Sequence, residues 1–451
     1  MSTQHTEWLA QTFGEAVEAR AKGNDAMAEK KCRQLLALLP NHAGALRLMM
    51  DFADKRGNAD EALAWNGLLV EAEPQAPDAV ASLAQRLKLA GRQEESLACF
   101  ARAIALAPGE AGLHINYANL LQDSGRFESA MAQFEEAVRL APDYPLGRYN
   151  LGMAQLMEGD FERGWENCEW RWKADGLARD HAPLPAPSWQ GEPLSGKTIL
   201  IWAEQGLGDT LQFCRFAPLL ARMGAKVLLT APRTLHPVLA SLEGLSGLYA
   251  EGDPLPGFDV HAPLLGLPRF LTLSQERIPG RAPYLAPPQG LRDVWRERLA
   301  GLKGLKAGLC WRGNPHHRND ANRSLPAEAL APFLEIDGVS WVGLQADRRE
   351  DEQLPLAFDA SPFLTDFGQT AALADQLDLV IGADTSVIHL AGAEGRTVWT
   401  LLPFVPDWRW MRGRSDSPWY PSMRLFRQQS LGDWPGVIDE VKRALLRRLG
   451  G

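Results

Sequence analysis

Cysteine is scarce in this sequence: Cys32, Cys99, Cys168, Cys214 and Cys310 are scattered over 451 residues, with no C-x-x-C pair. Such spacing excludes a disulfide framework and a zinc site, and buried reduced thiols are the expected state. Basic charge is not in excess either. Lys and Arg number 47 against 56 Asp and Glu, a formal net charge of -9, where a nucleic-acid surface would need the opposite balance. No apolar run approaches a membrane span, and the start "MSTQHTEWLAQTF" has no basic segment followed by an apolar core. The expectation is a cytoplasmic protein without membrane insertion. Also missing are G-x-G-x-x-G, H-E-x-x-H and D-x-D, and the one G-x-x-x-x-G-K-[ST] string, residues 191–198, leads into the apolar run "KTILIWA" and not into a helix. Dehydrogenase, P-loop and metal-dependent readings lose support, and neither metal nor cofactor is expected.

What is present begins with a period. Pro40, Pro74, Pro108 and Pro142 stand 34 residues apart, and Gly23, Gly57, Gly91, Gly125 and Gly159 keep the same step. Self-similarity at this spacing marks a helical solenoid. In residues 111–144, Leu113, Tyr117, Ala118 and Leu121 line one face of a first helix. Gly125 breaks that helix, and Ala130, Phe134 and Ala137 line a second. Ala28, Ala62, Ser96, Ala130 and Gly164 share a small-residue slot; Cys32, Phe100, Phe134 and Cys168 share another, so those thiols read as core. The pattern resembles the tetratricopeptide repeat, over about five units within residues 1–175. That resemblance implies a superhelix whose groove recruits a protein. Trp165, Trp170 and Trp172 read as a domain seam, and residues 176–196, rich in proline, as a stiff linker.

From residue 197 the texture changes to short apolar runs separated by helix-like stretches. The runs "KTILIWA" (197–203), "KVLLTA" (226–231) and "FDVHAPLLGLP" (258–268) form one set. "KAGLCW" (306–311), "VSWVGLQ" (339–345), "LDLVIGA" (377–383) and "RTVWTLLP" (396–403) form another. Alternation of this kind builds parallel sheets, so two α/β halves are expected, 197–300 and 301–451, with a ligand cleft between them.

Three loops carry candidate chemistry. In "VIGADTSVIHLAGAEG" (380–395) a strand gives way to a helix at Asp384, Thr385 and Ser386. Helix N–H groups and hydroxyls there suit a diphosphate, and His389 could add a hydrogen bond. Capping by Asp384 or Thr385 is the plainer role and does not exclude phosphate. The polar loop "CWRGNPHHRNDANRSLP" (310–326) brings Arg312, Arg318 and Arg323, of which Arg312 and Arg323 are candidates to neutralise a leaving phosphate and Arg318 reads as solvated. In "EQGLGDTLQF" (204–213), Asp209 follows Gly206 and Gly208, at the mouth of a helix.

Strand–"LGDTL"–helix, then strand–polar loop–"NRSLP", then "LVIGADTSVIHLAGAEGRTV" resembles the heptosyltransferase-type glycosyltransferases of the GT-B fold over residues 197–449. Repeats and α/β region together are similar to bacterial repeat-containing glycosyltransferases, including those that modify flagellin. The protein O-GlcNAc transferases share the layout with a different transferase sequence. The resemblance implies an acceptor-side first half and a nucleotide-sugar second half, with Asp209 as general base. Asp209 also fits an N-cap, and its base role is preferred. The resemblance lays Asp384, Ser386 and His389, with Thr385 intervening, and Arg323 on the family's donor motifs; Arg312, from the polar loop, is expected to assist at the donor phosphates, and Gly206 and Gly208 let the backbone approach substrate closely. The tail "DWRWMRGRSDSPWYPSMRLFRQ" (407–428) resembles a stretch common in that group; Trp408 and Trp410 either stack on a nucleobase or pack. The expected activity is metal-independent, inverting transfer of a sugar from a nucleotide sugar to Ser or Thr of a protein acceptor held by the repeats. The alternatives are a scaffold with an inactive transferase domain, or transfer to a lipopolysaccharide or other glycan.

Overall fold

Glycine at the 34-residue period turns the first third into hairpins. Gly23, Gly57, Gly91, Gly125 and Gly159 take φ between +70° and +86°, a conformation that ends a helix cheaply only for glycine. The next amide reaches back into the last turn: Asn24 N–H to Ala19 O at 2.9 Å, Arg126 N–H to Leu121 O at 2.8 Å. Five helix pairs result. They are Thr3–Ala21 with Asp25–Leu38, Ala43–Lys55 with Ala59–Ala72, Pro77–Leu89 with Gln93–Leu106, Ala111–Asp123 with Phe127–Leu140, and Pro145–Glu158 with Phe161–Cys168.

The computed structural model describes residues 3–174, 176, 184–272, 274–317, 319–349, 352 and 354–450. Most of the expected linker's first half, residues 177–183, and Arg318 lie outside the described residues.

The two slots read from the period are buried. Ala28, Ala62, Ser96 and Ala130 pack where helices approach closely, and Cys32, Phe100, Phe134 and Cys168 fill the other slot. Its second-repeat occupant is polar, Asn66, and fully buried. Its amide donates to Ala79 O at 3.0 Å and accepts from Arg86 Nε at 3.2 Å, which satisfies a group that would otherwise cost stability. Burial pushes the thiols of Cys32 and Cys310 up to about 11 and that of Cys214 to about 12. They stay protonated at neutral pH.

The chain divides into two compact units, Met1–Leu151 and Gly152–Gly451. The division therefore falls inside the last repeat, not near residue 175. Side chains explain it. Phe161 and Trp165 are buried in the second unit, Trp165 meeting Trp408 edge-on at 5.1 Å and Phe213 at 6.2 Å. Arg171, buried, clamps Glu204 with two hydrogen bonds of 2.8 and 3.0 Å and reaches Glu169 at 2.6 Å. Trp172 tilts against Trp202 with ring centroids 5.6 Å apart.

The second unit holds two parallel sheets. The first consists of β1 (Thr198–Trp202), β2 (Lys226–Thr230), β3 (Leu245–Tyr249) and β4 (Val260–Pro263), in the order β3-β2-β1-β4. The other consists of β5 (Leu305–Cys310), β6 (Val339–Gly343), β7 (Phe358–Asp359), β8 (Leu379–Ala383), β9 (Val398–Leu402) and β10 (Met423–Arg427). Its order is β10-β9-β8-β5-β6-β7. The central strands are buried on both faces, which is why they read as continuous apolar runs. The closing helix Trp434–Gly450 lays Val437, Ile438, Val441 and Leu445 into the core of the larger sheet. No helix among the described residues is long and apolar enough to cross a membrane.

A chain starting at residue 145 should melt in one cooperative transition. One starting at residue 184 should melt at a clearly lower midpoint, because it loses Phe161, Trp165 and Arg171 and leaves Glu204 buried without its cation. Breaking a buried pair in this way costs roughly 3–5 kcal/mol. Thermal melts of the two chains by circular dichroism check this, and equal midpoints would show the Trp165 seam to be dispensable.

Candidate functional site

In each sheet the chain reverses direction beside one central strand. From β1 it steps outward to β2 and β3, then returns to the far side of β1 with β4; from β5 it steps to β6 and β7, then returns beside β5 with β8. Loops at the carboxyl ends of strands open at such switch points and make binding crevices. Here the loops after β1, β5 and β8 line one cleft of about 660 Å³.

From the first half comes the helix Leu207–Phe213, which begins three residues earlier than an N-cap role for Asp209 requires. Gly206 is the N-cap and Asp209 the third helical residue. Its Oδ2 accepts the Gly206 N–H at 2.9 Å, and its Oδ1 accepts from Arg409 Nη2 at 2.5 Å. A carboxylate offers about four lone-pair sites, so both oxygens are engaged without being filled. Gly208 makes a close approach to protein. A Cβ there would stand 2.9 Å from His389 Cδ2 and 3.6 Å from Ser386 Cα. Gly208 lines the cleft, as Gly206 does, and also lets the facing helix pass closely.

From the second half comes the helix Ser386–Ala393. Thr385 is its N-cap, yet no side chain caps it; the Thr385 hydroxyl instead lies 3.5 Å from Cys310 Sγ. The expected capping by Asp384 or Thr385 is thus corrected, and this helix presents uncapped N–H groups beside the cleft wall formed by Ser386 and Val387. Arg323 sits next to it, donating to Asp384 O at 3.0 Å and to Asp320 Oδ1 at 3.1 Å. Asp384 and His389 are both buried. His389 Nδ1 meets the Tyr420 hydroxyl at 2.8 Å, and its Nε2 lies 3.5 Å from Asp384. Burial pushes the Asp384 carboxyl up, but the hydrogen bond and charge of His389, with the charge of Arg409, outweigh it and hold the group at about 2.

Pairing and burial bear on two expected ligand contacts. Arg312 lines the cleft with its guanidinium held by two carboxylates, Asp347 (2.8 Å) and Glu352 (3.1 Å), whereas Arg323 is paired with Asp320 (3.1 Å). Trp408 and Trp410 are buried and outside the cleft lining, so neither can stack on a base. Trp408 packs on Trp165 and Phe213, and Trp410 stacks on His389 with centroids 5.4 Å apart.

The residues that join the halves escaped sequence reasoning. Arg409 pairs with Asp209 and, at 3.0 Å, with Asp407. Burial opposes its charge, but Asp407, Asp209 and Asp384 around it hold it protonated. Arg215, buried after the first helix, donates to Trp419 O at 2.6 Å and Tyr284 Oη at 2.8 Å, and lies 4.6 Å over the Tyr420 ring. Their signal lay in the tail "DWRWMRGRSDSPWY", whose arginines and aromatics alternate too irregularly for helix or strand. Gln345 was also missed; it holds the amides of Trp311 and Arg312 at 3.3 and 3.1 Å.

Residues 118–159 match the family model for the TPR repeat, so the helical hairpins carry TPR repeats. Protein FlbA of Caulobacter vibrioides is 28% identical to this chain over 347 residues, 67% of the chain and 55% of that protein. The chain thus spans about half the length of the curated relative it matches. Among solved structures, the MamA protein aligns at a TM-score of 0.34 and 17% identity, over 40% of this chain and all of that one. YrrB, described as a TPR protein with an unusual peptide-binding site, aligns at 0.32 and 17%, over 35% of this chain and 82% of that one.

Gly208→Ala tests the crossing. The His389 ring is held by Tyr420 and Trp410 and cannot yield, so overpacking of about 1–3 kcal/mol is expected, with a lower melting temperature. Gly206→Ala, at φ -68° and 3.1 Å from the Asp209 carboxylate, should cost clearly less. Thermal melts of both variants check the order; the reverse order would refute the crossing.

Proposed function

We propose that the α/β region is a glycosyltransferase of GT-B type, taking a nucleotide sugar in the cleft and a hydroxyl of a protein acceptor recruited by the TPR repeats. One observation carries the reading. An uncapped helix N-terminus, the guanidinium of Arg323 and the Asp209 carboxylate line one cleft. Oriented amides and a cation suit a departing phosphate, and a carboxylate in the same space suits the proton of the attacking group.

In this reading the acceptor hydroxyl oxygen attacks the anomeric carbon while Asp209 takes its proton. The bond from that carbon to the phosphate oxygen breaks, and its electron pair leaves with the nucleotide. A single displacement inverts the anomeric centre. Ser386 and Thr385 stand at the phosphate end; His389, with both ring nitrogens engaged by protein, shapes the wall. A second reading, a binding scaffold without turnover, draws on the engagement of both Asp209 oxygens.

Thermal-shift screening of UDP-, ADP-, GDP- and CMP-sugars, followed by a transfer assay, separates the two: a scaffold releases no nucleotide. Arg323→Ala should weaken nucleotide binding by about 1.5–3 kcal/mol, the range for hydrogen bonds to a charged group; unchanged calorimetric affinity would remove Arg323 from the site. Asp209→Asn keeps the hydrogen bond to Gly206 N–H through its amide oxygen but cannot take a proton. Turnover should fall by about 10²–10⁴ with nucleotide affinity retained, and near-normal transfer would reduce Asp209 to a structural role.

A further inference from the structure

Among the described residues, Arg409 is the one that the hydrogen bonds and ion pairs of the proposed base bring from the second half. Three carboxylates crowd it: Asp209 at 2.5 Å, Asp407 at 3.0 Å, and Asp384 within its field. One guanidinium among three acids leaves a surplus of negative charge, so the placement of that cation governs how Asp209 behaves. Arg409 is itself fixed. Its backbone N–H donates to Asp407 Oδ1 at 3.1 Å, its guanidinium lies 5.0 Å from the Trp408 ring centroid, and Trp410 after it stacks on His389. The short helix 408–410 is thereby tied to the helix that carries the proposed phosphate site.

We propose that Arg409 is a positioning residue for Asp209. Its guanidinium holds one carboxylate oxygen while Gly206 N–H holds the other, which fixes the plane of the carboxylate and aims its remaining lone pairs into the cleft. The base is therefore assembled only when the tail of the second half is docked on the loop after β1. This rests on the transferase reading above. The charged and titratable groups that line the cleft with Asp209 include Arg409 and Asp407 from the tail, Asp384 and His389 from the loop and helix after β8, and His317 and Arg323 from the loop after β5. Without Arg409 the carboxylate is left among acids, which favours its protonated form.

The test uses the full chain, with the nucleotide among UDP, GDP, ADP and CMP that binds the wild type, and the corresponding nucleotide sugar. Arg409→Gln should bind that nucleotide within about threefold of wild type, because the Arg409 guanidinium is engaged by Asp209 and Asp407 and not by the phosphate. Its kcat for nucleotide release should fall at least tenfold with little change in donor KM, and the acid limb of its pH–rate profile should move to higher pH by about one unit. Arg409→Lys should restore the limb, because it keeps the charge, but not the full rate, because it cannot make both contacts. In the Asp209→Asn background, Arg409→Gln should cost little more. If Arg409→Gln does not fold, Arg409→Lys alone decides: wild-type rate and profile overturn the proposal. So do an unshifted profile in Arg409→Gln or additive losses in the double variant. A wild type that binds none of the four nucleotides overturns the transferase reading, and this proposal with it; a wild type that turns over while Arg409→Gln matches it overturns this proposal alone.

Discussion

The organisation of the cleft depends on one close crossing, where Gly208 of the helix Leu207–Phe213 passes the His389 ring of the helix Ser386–Ala393. Any side chain at 208 would push the helices apart, because His389 cannot retreat: Tyr420 holds one ring nitrogen and Trp410 covers a face. The crossing brings the two loops at the sheets' switch points to opposite sides of one space. Without it there would be two half-sites on two sheets. With it, a carboxylate, an arginine and an uncapped helix end line one cleft.

Buried arginines hold the second unit together around that crossing. Arg171 ties the last repeat helix pair to Glu204, immediately before the loop that carries Asp209. Arg215 binds backbone oxygens of two distant segments, Pro279 and Trp419, and Arg409 reaches across to Asp209. Arginine suits each place, since its planar fork makes several fixed hydrogen bonds and keeps its charge on burial. The tail 407–423 contributes partners to two of the three. It is a strap across the seam, and the aromatic side chains of Trp408, Trp410, Trp419 and Tyr420 are its anchors rather than a ligand surface.

Much of the architecture was legible because it rests on local, periodic constraints. A 34-residue step of glycine and proline specifies helical hairpins one after another, since each glycine ends its own helix by backbone sterics alone. The strands β1, β2, β5, β6, β8 and β9 announced themselves as apolar runs because both faces are covered. β3, β7 and β10 did not: β3 is only half-buried and interrupted by Gly247, β7 has two residues, and β10 alternates arginine with apolar residues at the edge of its sheet. Edge strands need no continuous apolar run, so composition does not mark them.

For the site, sequence by itself determined which loops matter, because a strand that ends in a polar, helix-opening segment is a local pattern. Asp209, Arg323, Thr385 and Ser386 were found in that way, and the cleft brings them together. The fate of each side chain was decided by tertiary structure. Arg312 was paired with Asp347 and Glu352, 35 and 40 residues away in sequence, and Trp408 and Trp410 were buried by partners from other elements. Arg409 gained its place from Asp209, 200 residues earlier. Charge pairing and burial depend on which groups the fold makes neighbours, and neighbours that distant in the chain leave no periodicity to read.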